Sequence, residues 1–113
     1  MQYVDVSSDA QLHAGHLYCY QETPGIRLLV RLVSHTEEDD LLWLTLDVLA
    51  IRQREGRPAR EVAQQLTVST QRTGGWNQIW MLYQLQSNTL DGALAELRNK
   101  RRQTRRYSWV PVG

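Results

Sequence analysis

Alternating apolar residues in the middle of the chain constrain its fold more than any other feature. Within residues 41–51, LLWLTLDVLAI, the side chains at every second position are apolar, namely Leu42, Leu44, Leu46 and Val48. Side chains two residues apart share one face of a β-strand, whereas a helix would spread these leucines around its whole circumference. The segment is therefore predicted to be a strand with one buried face.

A second strand precedes this one and is expected to pair with it. Residues 26–35, IRLLVRLVSH, also alternate, and four acidic residues at 37–40 separate the two segments. An acidic connection suits the exposed turn between two antiparallel strands. We predict a hairpin that turns near Glu37–Asp40 and buries Leu44 and Leu46.

Asp47 is the one charged residue inside the predicted strand 41–51. It either faces solvent or pairs with Arg27 or Arg31 across the strands, and the pairing is the preferred interpretation. A catalytic role would need a second carboxylate or a base, which the spacing of the sequence does not supply.

The remaining patterns predict more short strands and one helix. Residues 16–21 and 66–70 have the composition of strands, and residues 79–85 are predicted to be a strand, with a helix as the alternative. Thr89 is a candidate N-cap before an apolar stripe at helical spacing.

These elements together predict an α+β domain. Its expected form is a small curved antiparallel sheet or an SH3-like, partly open barrel, with about five strands and a C-terminal helix. A chain of 113 residues has the ordinary size of one domain. Residues 1–97 are predicted to form the strand-rich globular domain, including the start of the helix, and residues 98–113 the basic helix end and tail.

The charge of the chain is nearly balanced but unevenly distributed. The formal net charge is +1, yet residues 1–97 contain seven arginines, no lysine and all twelve acidic residues, which leaves −5. Six of the nine residues 98–106 are basic, and two aromatic residues follow them. Guanidinium groups contact phosphates, and aromatic rings stack on nucleic-acid bases. The candidate partner-binding residues are therefore Arg98, Lys100, Arg101, Arg102, Arg105, Arg106, Tyr107 and Trp109.

No catalytic or metal-binding motif is present in the sequence. Cys19 is the only cysteine and lies in the apolar run LYCY, which predicts a buried, inert thiol. His13 and His16 have the spacing of two metal ligands on one helix turn, but Gly15 opposes a helix there and no third ligand is placed. We therefore expect neither an enzyme nor a metal or other cofactor.

The sequence favours a non-enzymatic binding module. Trp43, Trp76 and Trp80 are candidates for a groove lined by aromatic side chains. A protein–protein interaction or assembly role is the first hypothesis, and nucleic-acid binding through residues 98–109 is the alternative. Unpaired strand edges and exposed tryptophans also predict self-association, with a two-fold homodimer as the expected form.

The sequence predicts no association with a membrane. No segment has the roughly 20 apolar residues that a bilayer-spanning helix needs, and the N-terminus lacks the pattern of a secretory signal. A cytoplasmic location is the resulting expectation.

Overall fold

Seven strands and one helix make up the part of the chain that the structure describes. The computed structural model describes residues 2–6, 8–21, 26–54, 56, 62–71, 81–99 and 107–112. In chain order the elements are β1 (Gln2–Tyr3), β2 (Leu17–Gln21), β3 (Arg27–Glu38), β4 (Leu41–Arg54), β5 (Gln65–Gln71), β6 (Met81–Gln84), α1 (Leu90–Asn99) and β7 (Tyr107–Pro111). Among these residues, no helix combines the length and the apolar character that crossing a bilayer requires.

The predicted hairpin is confirmed. Strands β3 and β4 pair antiparallel on either side of a two-residue turn formed by Asp39 and Asp40. The φ angles of these residues are 51° and 65°, in the left-handed region that tight hairpin turns need and that aspartate tolerates. Leu44 and Leu46 are fully buried, as the alternation predicts.

The sheet is antiparallel and has the strand order β1-β6-β2-β3-β4-β5. Strand β4 pairs twice along the edge that faces away from β3, with β5 at residues 41–47 and with β7 at residues 50–54. Among the described strands, β1 and β5 end the order without pairing to each other, so the sheet is open. The antiparallel sheet with one helix is confirmed, and the barrel of the SH3-like alternative is not.

The predictions for two segments in the C-terminal third of the chain have different outcomes. Residues 81–84 form β6, which confirms the strand predicted for 79–85 over these four residues and contradicts the helical alternative there, while residues 79 and 80 lie outside the described part of the chain. Strand β7 differs from the prediction, because the sequence assigns residues 98–113 to a helix end and a tail, whereas residues 107–111 form a strand that pairs with β4. It is five residues long and its partner is distant in sequence, so no local pattern predicts it.

Both faces of the sheet carry a core. The larger core lies on one face and consists of Tyr18, Tyr20, Leu28, Val30, Leu32, Leu42, Leu44, Leu46, Val48, Ile51 and Leu82, with Val4, Val6 and Leu12 from the N-terminal segment. On the other face, α1 packs through Ala93, Leu94 and Leu97 against Leu17, Cys19, Leu29, Ala50, Leu85 and Trp109. Because β2 contributes to both cores, it is buried on both faces.

The start of α1 is fixed to the chain before it. Thr89 Oγ1 accepts a hydrogen bond from the Gly92 backbone N–H at 3.2 Å, as an N-cap does. Glu96 accepts hydrogen bonds from the backbone N–H groups of Gln86 and Ser87 at 3.0 and 3.3 Å. A side chain at position 92 would collide with Ser87, so this close approach requires glycine. The helix is thereby held over one part of the sheet face.

Candidate anion-binding face

A row of side chains crosses the face of the sheet that carries α1. The pairing register aligns these residues on β6, β2, β3, β4 and β7 respectively: Met81, Gln21, Arg27, Arg52 and Trp109. The position of Arg27 beside Arg52 follows from the pairing of Leu28 with Ile51, because the next residue along each strand is an arginine. Side chains alternate between faces, so residues two positions from Cys19, Leu29 and Ala50 lie on the helix-bearing face with them.

Two arginines meet at the centre of this row. Arg27 and Arg52 are half-buried, and within the described part of the chain the Nε atom of each is buried without a hydrogen-bond partner. Burial lowers the pKa of Arg52, and the nearby positive charge of Arg27 lowers that pKa further. Like charges are thus held together on a partly desolvated surface. An anion bound at the pair would compensate both the burial and the repulsion.

Tyr107 lies beneath Arg52. The Arg52 Cζ atom is 4.3 Å from the centroid of the Tyr107 ring, a cation–π contact of the kind that contributes about 0.5–1 kcal/mol at an accessible site. Tyr107 also pairs through its backbone with the exposed Arg54. The contact fixes the direction of the Arg52 side chain, which keeps its positive charge.

Cys19 lies on the same face of the sheet, two residues before Gln21 on β2, in the core that packs against α1. Its thiol is buried between the sheet and α1, and burial raises its pKa to about 11, although Arg27 and Arg52 oppose that shift. At neutral pH the thiol is therefore protonated and a poor nucleophile. The prediction of a buried thiol is confirmed, and the residue belongs to the core under the arginines.

An exposed aromatic strip borders the row at the β1–β6 edge. We use this name for the exposed Tyr3 and Met81 together with the half-buried Tyr83 that packs on the core beside them, all on the helix-bearing face. The Tyr3 and Tyr83 rings meet edge to face, with centroids 5.7 Å apart and planes at 69°. Tyr3 is 48 % exposed and Met81 is 42 % exposed, and the Tyr83 hydroxyl donates to Met81 Sδ at 3.2 Å.

The predicted partner-binding residues fall into three groups. Lys100, Arg101, Arg102, Arg105 and Arg106 lie outside the described residues. Arg98 is exposed on the last turn of α1, where its Nη2 donates to the Trp109 carbonyl at 3.1 Å. Tyr107 is half-buried at the arginine pair, whereas Trp109 is only 6 % exposed and belongs to the α1 core. The Trp109 ring is therefore packed inside the protein.

The predicted aromatic groove is not assembled by the described residues. Trp76 and Trp80 lie outside them, and Trp43 is a 37 % exposed residue near the turn of the β3–β4 hairpin. Trp43 precedes Arg52 on β4 by a distance of roughly 30 Å at 3.3 Å per residue. It is therefore remote from the arginine pair.

Sequence reasoning missed Arg27 and Arg52 as site residues. It considered Arg27 only as a partner for Asp47, but the register places Arg31 opposite Asp47. The Asp47 carboxylate accepts a hydrogen bond from Gln65 Nε2 at 3.0 Å. Counting residues outward from the predicted turn would have put Arg27 opposite Arg52, and this count is the signal that the sequence carries.

Other polar groups of the described chain do not form a comparable site. A cleft of about 450 Å³ beside the α1 N-terminus is lined by uncharged or amide side chains and by His16. The rings of His13 and His16 lie 5.2 Å apart. No cluster of three or more His, Cys, Asp or Glu residues that could hold a metal occurs in the described ranges.

No protein-family model, no curated protein and no solved structure matches this chain.

Proposed function

We propose that this protein is a non-enzymatic binding module for nucleic acid, which contacts the phosphate backbone at Arg27 and Arg52. The side-by-side position of these two arginines on an accessible sheet face carries the proposal. Guanidinium groups form charge-assisted, often bidentate hydrogen bonds with phosphate oxygens. Both side chains keep exposed surface, so their outer donors can contact a phosphate.

The distribution of charge along β4 supports this choice of ligand. The acidic residues 37–40 lie at the turn before β4, whereas Arg52 and Arg54 lie at its other end. At this second end, Arg98 of α1 donates to the Trp109 carbonyl, and Tyr107 pairs with the exposed Arg54. Among the described residues, the cations Arg27, Arg52, Arg54 and Arg98 therefore gather at the end of β4 opposite the acidic turn, which we call the basic end.

The acidic turn is too distant to cancel the attraction of the basic end for phosphate. Asp40 and Arg52 are separated by roughly 35–40 Å along the strand at 3.3 Å per residue. Charges on the surface are screened over about 8 Å at physiological ionic strength. A phosphate near Arg52 thus experiences the local cations and little of the acidic turn.

Binding of a labelled oligonucleotide, measured by fluorescence anisotropy over a range of salt concentrations, tests the proposal. We expect Arg27→Ala/Arg52→Ala to weaken binding and to reduce the slope of log affinity against log salt by about 0.7–0.9 for each phosphate that the variant no longer neutralises. Arg31→Ala is the matched control, because Arg31 lies on the same strand and face but opposite Asp47. Its slope should equal that of the unmodified protein.

Two results would overturn the nucleic-acid assignment. One is a double arginine variant that binds as tightly as the unmodified protein while remaining folded by circular dichroism. The other is an acidic polypeptide that binds at the arginine pair more tightly than the oligonucleotide, which would identify a protein partner.

The predicted self-association stays a prediction, and light scattering of the same samples tests it.

A further inference from the structure

We infer that the ligand is a single strand whose bases stack on the exposed aromatic strip of Tyr3, Met81 and Tyr83. This inference rests on the proposed function and adds the class of nucleic acid and the position of the bases. It assigns the stacking role to the β1–β6 edge rather than to Trp109, which is buried.

The strip has the composition and exposure of a stacking surface. Individual exposed apolar residues are normal on a protein surface, but Tyr3 and Met81 are both exposed and flank the half-buried Tyr83 on one face of two paired strands. The edge-to-face contact of the two tyrosine rings holds them against each other. A base that stacks on Tyr3 or packs on Met81 would cover apolar surface that is otherwise exposed.

The strip and the arginine pair are close enough to contact the same few nucleotides. Met81, Gln21 and Arg27 lie on three adjacent strands, which places Met81 and Arg27 roughly 10 Å apart at about 4.8 Å per strand. Between them, the Gln21 side chain can offer an amide to the edge of a base. The face thus presents cations to phosphates on one side and apolar rings to bases on the other.

This arrangement distinguishes a single strand from a duplex. In a duplex the faces of the bases are stacked inside the helix, so only the arginines could bind it. In a single strand the bases can turn onto the strip while the phosphates remain at Arg27 and Arg52. We therefore expect a preference for single strands that depends on the strip.

The test compares a labelled single strand of about 15 nucleotides with the duplex of the same sequence. We expect Tyr3→Ala to weaken single-strand binding by about fivefold or more, the lower range for removal of one stacked base. Met81→Ala removes an apolar contact and no ring, so it should weaken single-strand binding by less. The slope against salt and the affinity for duplex should stay unchanged, because these variants keep every cation that contacts phosphate. Tyr3→Trp should retain the single-strand binding that Tyr3→Ala loses, since it keeps a stacking ring.

Trp43→Ala is the matched control, because Trp43 is an exposed aromatic residue remote from the arginine pair. It should leave binding unchanged, and an equal loss of affinity in this variant would overturn the inference. If the arginine variant loses binding but Tyr3→Ala and Met81→Ala do not, the inference is wrong and the proposed function stands. If neither single strand nor duplex binds the unmodified protein, both are wrong.

Discussion

At the scale of single residues, Trp109 shows how position in the fold decides the role of a side chain. In the sequence it follows a basic run, the arrangement of a base-stacking residue. In the structure it packs against α1, and its carbonyl accepts the hydrogen bond from Arg98. Tyr107, two residues earlier, instead contacts the accessible Arg52. Tyr107 and Trp109 are two residues apart and lie on the same face of β7, so strand alternation does not distinguish them. They differ because only Trp109 packs in the core with α1.

Trp109→Ala should therefore act on stability. Removing a buried tryptophan leaves a cavity, and such changes cost about 3–5 kcal/mol of unfolding free energy. Denaturant unfolding of the variant should show this decrease, while Arg98→Ala, which removes only a partly exposed hydrogen bond, should cost about 1 kcal/mol. A Trp109→Ala protein with unchanged stability and selectively weakened single-strand binding would contradict the packing role.

At the scale of elements, the β3–β4 hairpin was predictable because its pattern is local and strong. Leu44 and its neighbour Trp43 provide a direct test, since they point to opposite faces of β4. Leu44→Asp should cost several kcal/mol in denaturant unfolding, because it places a charge in the larger core. Trp43→Asp should cost far less at its exposed position. Equal decreases in stability for both variants would contradict the alternation.

Other elements were less predictable for physical reasons. β7 pairs with residues 50–54, which are distant in sequence, and it packs against α1, the element before it. The arginine pair depends on register over the whole hairpin, where irregularities occur between Leu29 and Val30 and between Leu32 and Ser34. The two shifts are opposite and cancel, so Leu29 and Leu28 pair with β4 in the same register as the residues next to the turn. An alternation pattern does not report such bulges.

At the scale of the whole molecule, opposite charges lie at the two ends of the β3–β4 hairpin. The acidic turn lies at one end of the hairpin, and Arg27 and Arg52 lie at the opposite end. Net charge, which is +1 for the whole chain, therefore says little about what an approaching polyanion meets. The local field at the basic end should set both the encounter rate and the orientation of the ligand.

Neutralising the acidic turn separates this local effect from net charge. Asp39→Asn/Asp40→Asn raises the net charge by two, the same magnitude by which Arg27→Ala/Arg52→Ala lowers it, and asparagine tolerates the positive φ of both positions. If net charge governed binding, the two double variants would have opposite effects of similar size. We expect the asparagine variant to bind within about twofold of the unmodified protein at physiological salt, because the turn lies several screening lengths from the arginines. Near 0.01 M salt, where the screening length is about 30 Å, its affinity should rise. Anisotropy at both salt concentrations measures the difference, and an equal rise at both would contradict local control of binding by the basic end.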